Sequence, residues 1–527
     1  MVNPPEHAPV FNSILPDSLT ADTLTFYKQK ILQAAYTNGY LNATIRIQET
    51  KDSAFFILKT EEQFAFGKID WRLPEGFVFP SLQNASLHKK NLTPKEWSTF
   101  VNTYLNYYEN NGYPFVNIQV KNVEIISDTL YAQAYLNPGK KITVDSVAIL
   151  GYNNFSANVL KYDLGFFPGM LYRENYLSEL QQRIQQIEYL SFSRNPGIAF
   201  FTNKTTLYLY TKEVPGNQIN GVVGINTKEN GEVTFNGDFE LRLLNAFKGG
   251  EDINLRWRRP DDAQQFLNLS LTLPYLFKTP IWVTGALEIL RQDSSFVNTE
   301  LQADLKYLLS GRNFLVGGLT YTGSNTLQNE NISAAYNSFN SYKYRLGAEI
   351  NQSNRILIPN KGYILNIAPF SGTRATADTS TRQFGWDIST SLFTHIKGGH
   401  HLLNRLQSQS LFGIGLYENE LYRIGGLKSM RGFNEQSLYT SLYGIYTLEY
   451  RYFFGEYDYL AVFGDFAYTE KKTVIENNQN WLTGTGAGIN FYTKGGIFSM
   501  FFAVGKTQST PFDFRAVKVH FGYINRF

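Results

Sequence analysis

The chain has 527 residues, a formal net charge of +3 and no cysteine. It is long enough for several domains, too evenly charged to suggest a nucleic-acid partner, and without the thiols that disulfides or thiolate metal sites require. Tyr, Phe and Trp make up 16% of the residues; that is high for a water-soluble chain and fits aromatic girdles at a membrane interface. No apolar run reaches the roughly eighteen residues of a transmembrane helix. The opening residues, Met1 to His7, lack a charged-then-apolar signal peptide. A cytosolic chain or a mature exported one would both fit; the rest of the sequence favours the second.

Residues 1–20 are polar and dotted with proline, and read as a linker or a frayed end. In 21–37, Leu24, Tyr27, Ile31, Leu32 and Ala35 recur at helical spacing. Asn38-Gly39-Tyr40 follows, then strand-like runs at 41–49 and 53–60. The pattern returns: a helix over 94–110 with Trp97, Phe100, Val101, Leu105 and Tyr108 apolar, then Asn111-Gly112-Tyr113, then strands at 115–122 and 128–136. A glycine at a helix end takes the left-handed cap, and the aromatic after it packs back on the helix. A third, more divergent copy has a strand at 141–150, Gly151-Tyr152, a helix at 173–189 and strands at 197–202 and 205–212. Each unit is a strand, helices and two strands, the first without a clear opening strand.

This repeat resembles the polypeptide-transport-associated (POTRA) domain, as does the Phe-Pro-Gly-Met-Leu-Tyr-Arg run from Phe167 to Arg173. The expected divisions are 1–62, 63–139 and 140–215, with 216–527 a different domain. A string of generic α+β modules without a transport role is the alternative.

From about residue 217 strict alternation replaces helical spacing. Leu267, Leu269, Leu271 and Leu273 share one parity, with Asn268, Ser270 and Thr272 on the other. Ile253, Leu255 and Trp257 likewise oppose Asn254, Arg256 and Arg258. Tyr446, Leu448, Tyr450 and Tyr452 oppose Thr447, Glu449 and Arg451. Such alternation fits strands between lipid and a wet lumen; a soluble sandwich alternates too, with its apolar face inside. Sixteen strands are expected, beginning near 217, 230, 250, 263, 280, 295, 311, 341, 362, 383, 401, 441, 458, 481, 496 and 515. From the seventh strand on, connections after odd strands are long and polar, and most after even strands are short, as in a bacterial outer-membrane barrel. The 351–361 connection is longer than this rule predicts, and 228–229 shorter. The last strand alternates through Val517, Val519, Phe521 and Tyr523 to a terminal Phe527. That ending resembles the C-terminal recognition signal of outer-membrane barrels; a buried edge strand is the alternative.

The connection between the eleventh and twelfth strands holds Gly425-Gly426 and the tip Arg431-Gly432-Phe433. An arginine there can grip a carboxylate with a planar donor fork. POTRA-like repeats, a 16-stranded antiparallel transmembrane barrel and this sixth outer loop together resemble one superfamily. It contains the BamA and TamA assembly barrels and the two-partner secretion transporters; the three-repeat layout is most similar to TamA. The resemblance implies that the loop folds into the lumen and that its arginine meets an acidic residue on the wall. Parity in strand thirteen places Asp465 on the lumen side, with Glu449 a rival partner. Phe463-Gly464-Asp465-Phe466-Ala467 matches the family's strand motif in part, with Ala467 where glycine is expected. In strand fourteen Gly484, Gly486 and Gly488 share one parity and would make room for the loop.

No metal spacing joins His7, His88, His395, His400, His401 and His520, and no phosphate loop or nucleophile elbow is visible. No catalytic residue, metal or cofactor is expected, and no enzyme. The leading expectation is an assembly factor in the bacterial outer membrane, its N-terminal domains in the periplasm. Its partners would be client outer-membrane or secreted polypeptides, outer-membrane lipid and a periplasm-spanning or inner-membrane tether. POTRA edges would take up clients by strand addition. The family also implies a seam between first and last strands, with Gly221 and Gly224 weakening the first and Gly522 kinking the last. A secretion transporter working through the lumen is the alternative, with residues 1–37 then a plug helix; a passive porin is a third reading.

Overall fold

The computed structural model describes residues 2–3, 24–49, 54–60, 63–78, 93–127, 129–227, 233–259, 264–293, 295–327, 335–355, 357–493 and 496–526. The chain separates into two compact units. One comprises Met1–Val147, Pro168–Ser178 and Ile198–Leu207; the other Ala148–Phe167, Glu179–Gly197 and Tyr208–Phe527.

In the first unit, helix α1 (Leu24–Thr37) buries Leu24, Ile31 and Ala35 with Ile45, Phe56 and Leu58 of the hairpin Thr44–Glu49 and Ala54–Lys59. Val2–Asn3 pairs in parallel with Phe56 and Ile57, supplying the opening strand that the pattern of residues does not reveal. Helix α2 (Pro94–Glu109) starts at a capping box. Thr93 Oγ1 accepts the Glu96 N–H at 3.2 Å, and the Glu96 carboxylate accepts the Thr93 N–H at 2.9 Å. Its aromatic face, Phe100, Tyr104 and Tyr108, packs with Trp71 and Val116. Both helices end on the repeated Asn-Gly-Tyr. Gly39 and Gly112 adopt φ of 95° and 97°, and Tyr40 and Tyr113 donate back to the carbonyls of Ala35 and Tyr108 at 3.0 Å.

The second repeat's sheet runs Ala65–Arg72, Thr129–Asn137, Asn117–Ile126. Among the described residues Asn117–Ile126 is therefore an edge strand. Its outer half is exposed on both faces, with Val123, Ile125 and Ile126 more than half accessible. The third sheet runs Leu190–Phe200, Thr205–Glu213, Ser146–Gly151. Helix α3 spans Asn175–Ile184, shorter than the 173–189 expected because separate turns follow Ile184. A π-helical turn covers Val159–Asp163. In the Phe167 to Arg173 run, Met170–Leu171 pairs with Thr143–Val144.

The second unit contains a closed barrel of sixteen antiparallel strands in sequence order. They are β1 (Gln218–Thr227), β2 (Val233–Leu244), β3 (Asp252–Arg259), β4 (Gln264–Leu273), β5 (Ile281–Gln292), β6 (Phe296–Ser310), β7 (Asn313–Thr326), β8 (Phe339–Asn351), β9 (Gly362–Ala375), β10 (Ser380–Lys397), β11 (His400–Gly413), β12 (Leu442–Phe453), β13 (Tyr459–Lys472), β14 (Asn477–Thr493), β15 (Gly496–Lys506) and β16 (Lys518–Arg526). All sixteen begin within four residues of the expected starts, because period-two alternation fixes which face each side chain meets. In β12, Ile445, Thr447 and Glu449 are buried inward, while Tyr446, Leu448, Tyr450 and Tyr452 stand exposed outward. Residues 228–232 lie outside the described residues.

The long 351–361 connection has a packing reason. Leu357 and Ile358 join Phe453, Tyr459 and Phe501 in one apolar cluster at the short-turn end of the barrel. Arg355 also donates to the Glu456 carbonyl at 2.6 Å.

Part of the third repeat packs within this second unit against barrel turns at the same end. Arg242, at the end of β2, holds both Glu188 oxygens at 2.8 and 3.1 Å and Asp252 at 3.0 Å. Arg312 lies 3.6 Å from Glu188. Gln186 donates to the Ser353 carbonyl at 3.1 Å, and Tyr162 to that of Lys278 at 2.7 Å. Tyr275 donates to the Asp163 carboxylate. Burial holds the Asp163 carboxyl up at about 6, against the opposing pull of the Tyr275 hydroxyl, Arg312 and Arg183.

Candidate functional site

The connection between β11 and β12 is not a simple outer loop. A 3₁₀ turn (Glu418–Glu420) leads into a small hairpin in which Tyr422–Ile424 pairs with Leu438–Thr440. The hairpin carries the Arg431 tip into the barrel. Ile424 and Met430 are buried with Tyr443, Ile445, Ala467 and Leu482 of the wall. That apolar contact, rather than charge alone, seats the loop.

At the tip, Arg431 meets both candidate carboxylates. Its Nε and Nη2 donate to the two Asp465 oxygens, each at 2.8 Å, and its backbone N–H donates to Asp465 Oδ2 at 3.2 Å. Its Nη1 donates to Glu449 at 2.5 Å. Asp465 and Glu449 are thus joint partners, not rivals. Thr447 adds a hydroxyl to Asp465 at 2.8 Å, and Arg451 holds the other Glu449 oxygen at 2.7 Å. The guanidinium carbon lies over Phe463, 3.4 Å from the ring centre. Asp465 is fully buried and Arg431 is 3% exposed. In such a place each charge is stabilised mainly by its partners, and removing one leaves the other stranded.

The glycines divide the work differently from the sequence expectation. Gly432 adopts φ of 90°, and a Cβ there would stand 2.6 Å from the Val504 carbonyl carbon, so only glycine fits. Gly484 makes room for the loop: a Cβ would come within 2.1 Å of the Arg431 carbonyl. Gly486 and Gly488 do not. Their missing side chains would strike Phe502 and Phe501 of the neighbouring strand, so they allow β14 and β15 to pack closely. Gly505, which alternation alone does not single out, instead faces the Gly432 carbonyl and the Phe433 ring.

At the seam, β1 and β16 pair among the described residues at Gln218↔Arg526 and Ile219↔Asn525 only. By contrast β15 and β16 stay in register from Ile497↔Ile524 to Ala503↔Lys518. Gly221 and Gly224 lie within unbroken pairing to β2; on its other side β1 meets β16 at Gln218 and Ile219, and Asn220 Oδ1 accepts the Asn525 N–H at 2.9 Å, with no further β1–β16 pair among the described residues. Gly522 packs under Leu427 of the loop, where a Cβ would sit 3.2 Å away. Beside it, the Gly432 N–H donates to His520 Nε2 at 3.2 Å, so the tip touches the last strand. Phe521 points outward, 59% exposed, and Tyr523 packs on Phe498 with ring centres 4.5 Å apart. Phe527 lies outside the described residues.

No protein-family model and no curated protein matches the sequence. Solved structures do. CdiB from Escherichia coli aligns with a TM-score of 0.55 at 14% identity, covering all of this chain and 99% of that one. CdiB from Acinetobacter baumannii aligns at 0.53 and 15%, covering 99% of each chain. This chain has the fold of BamA and CdiB. The BamA comparison is Haemophilus ducreyi BamA lacking POTRA domains 1–3, which aligns at 0.51 and 15%, covering 88% of this chain and all of that one. A POTRA-like region followed by an outer-membrane-type barrel is thus the shared architecture. The likeness to CdiB is as full as that to BamA, and nothing in it favours TamA.

Proposed function

We propose that the chain is a polypeptide-handling barrel of the bacterial outer membrane, belonging to the superfamily of assembly and secretion barrels. Residues 1–62, 63–139 and 140–215 are its periplasmic POTRA domains, and 216–527 its barrel. Its clients are extended outer-membrane polypeptides, engaged first by sheet edges and then at the β1–β16 seam. The carrying observation is the seam, where two residue pairs join strands that could pair along most of their length. Unpaired backbone donors and acceptors on such an edge offer an incoming strand its hydrogen bonds. The exposed strand Asn117–Ile126 offers a second edge of the same kind.

Secretion through the lumen is the second reading, favoured by the full-length likeness to CdiB. The buried Arg431 loop weighs against a passive porin, since it fills lumen that a porin keeps open. Ile219→Cys with Asn525→Cys tests the choice, as the chain has no other cysteine. Loss of client handling under oxidant, restored by reductant, supports the assembly reading. Full activity with the disulfide formed rejects it and leaves secretion.

A further inference from the structure

The Arg431 tip is one end of the loop. The other end, where the chain leaves β11, is held as firmly. Arg374 of β9 and Glu420 both have side chains only 3% exposed, and they pair at 2.5 Å. Arg374 also donates to the carbonyls of Gly415 at 2.7 Å and Ile414 at 3.0 Å, and its guanidinium lies 5.1 Å from the Tyr417 ring. Glu420 is satisfied in turn by Gln383 of β10 at 2.5 Å and by the Tyr417 N–H at 2.9 Å. The preceding residue, Asn419, donates to Ser324 and to the Asn337 carbonyl, each at 2.7 Å, and accepts from Asn298 at 2.7 Å. The entry arm is thereby nailed to β6, β7, β9 and β10, while the tip is nailed to β12 and β13.

We infer that Glu420 and Arg374 form a second lock, independent of Arg431, and that the loop is a tie across the lumen. Buried and multiply hydrogen-bonded, the pair is fixed by geometry and not only by Coulomb attraction. The two locks share no residue, so each holds when the other is broken. Opening the lumen requires both to release; a flap hung from its tip would need one. The inference concerns the loop and holds for assembly and secretion alike.

The test is single-channel recording of the full-length protein in planar bilayers. Glu420→Ala should raise the probability of the open state roughly tenfold, equivalent to about 1.4 kcal/mol. With Arg431→Ala the two effects should multiply, as expected for independent sites. If Glu420→Ala does not fold, Glu420→Gln keeps the shape without the charge and should give a smaller rise in the same direction. An open probability unchanged in the folded variant overturns the second lock. So does a double variant no more open than Arg431→Ala alone.

Discussion

The first and last parts of the barrel are braced from different places. The wall of β12 to β16 is held from inside, by the loop: Arg431 on Asp465 and Glu449, Gly432 against β15, and the tip on His520 of β16. The wall that begins at β1 and β2 is held from below, where Glu188 grips Arg242 and Arg312, Gln186 meets Ser353, and Tyr275 meets Asp163. The seam falls between the two braced bodies. Among the described residues β1 and β16 themselves share only two residue pairs, so what spans the seam is the loop. Arg258 of β3, reaching Gln436 and Glu435 of the loop, ties one body to the other.

Breaking the inner brace should have the largest effect. Arg431→Ala and Asp465→Ala should each destabilise the barrel by about 3–5 kcal/mol, because the first strands the Asp465 carboxylate and the second leaves Arg431 with Glu449 alone and two buried donors unmet. The double variant should cost little more than either single one. Thermal unfolding in detergent micelles reads this, and additive losses would show that the residues do not act as a pair. Gly484→Val comes next: it pushes a side chain into the Arg431 carbonyl and should cost about 1–3 kcal/mol. Proteolysis of the loop in the folded barrel checks whether the tip has been expelled; protection equal to the parent would place the loop elsewhere.

The brace from below should be weaker and separable. Glu188→Ala removes two hydrogen bonds from Arg242 and the ion pair with Arg312 and should cost about 1.5–3 kcal/mol, while the loop stays seated. Hydrogen exchange at 186–189 should rise with no change at 430–433. Exchange rising in both would mean the two bodies are one.

The smallest effect is a pH dependence of the same brace. The Asp163 carboxyl sits at about 6 against an ordinary 3.8, so the docked form holds its proton more tightly. Its contribution is complete below about pH 4 and is lost as pH rises through 6. Asp163→Asn should flatten the pH profile of exchange at 159–163. A profile that keeps its slope in Asp163→Asn would assign the dependence to another group.

The strands were legible because alternation is a local property, and Asp465 was placed on the lumen side by parity alone. What parity cannot supply is which inward group meets which. Glu449 becomes a joint partner because Arg431 has three donor nitrogens and two carboxylates within reach. Arg374 and Glu420 are 46 residues apart, and each reads as an ordinary polar residue until β9 and the loop arm are brought together. Gly486 and Gly488 share parity with Gly484 and yet serve a different neighbour, because alternation gives a face but not the height of the loop within the lumen. The docking of Glu188 was invisible for the same reason: its partners sit on turns whose placement only the closed barrel fixes.

The pairing pattern also implies an order of events in time. The loop tip finds Glu449 and Asp465 only 18 and 34 residues away, whereas Asn525 finds Asn220 across 305. Short loops close at less entropic cost than long ones, and non-local contacts form late. The loop can therefore settle on β12 and β13 while the sheet is still an open ribbon, and the weakly paired seam is the last join to be made. Pulsed hydrogen exchange during refolding would show protection at 445–465 before 218–220 if this sequence holds. A barrel whose final closure is also its thinnest contact keeps, in the finished protein, the point at which it was last open.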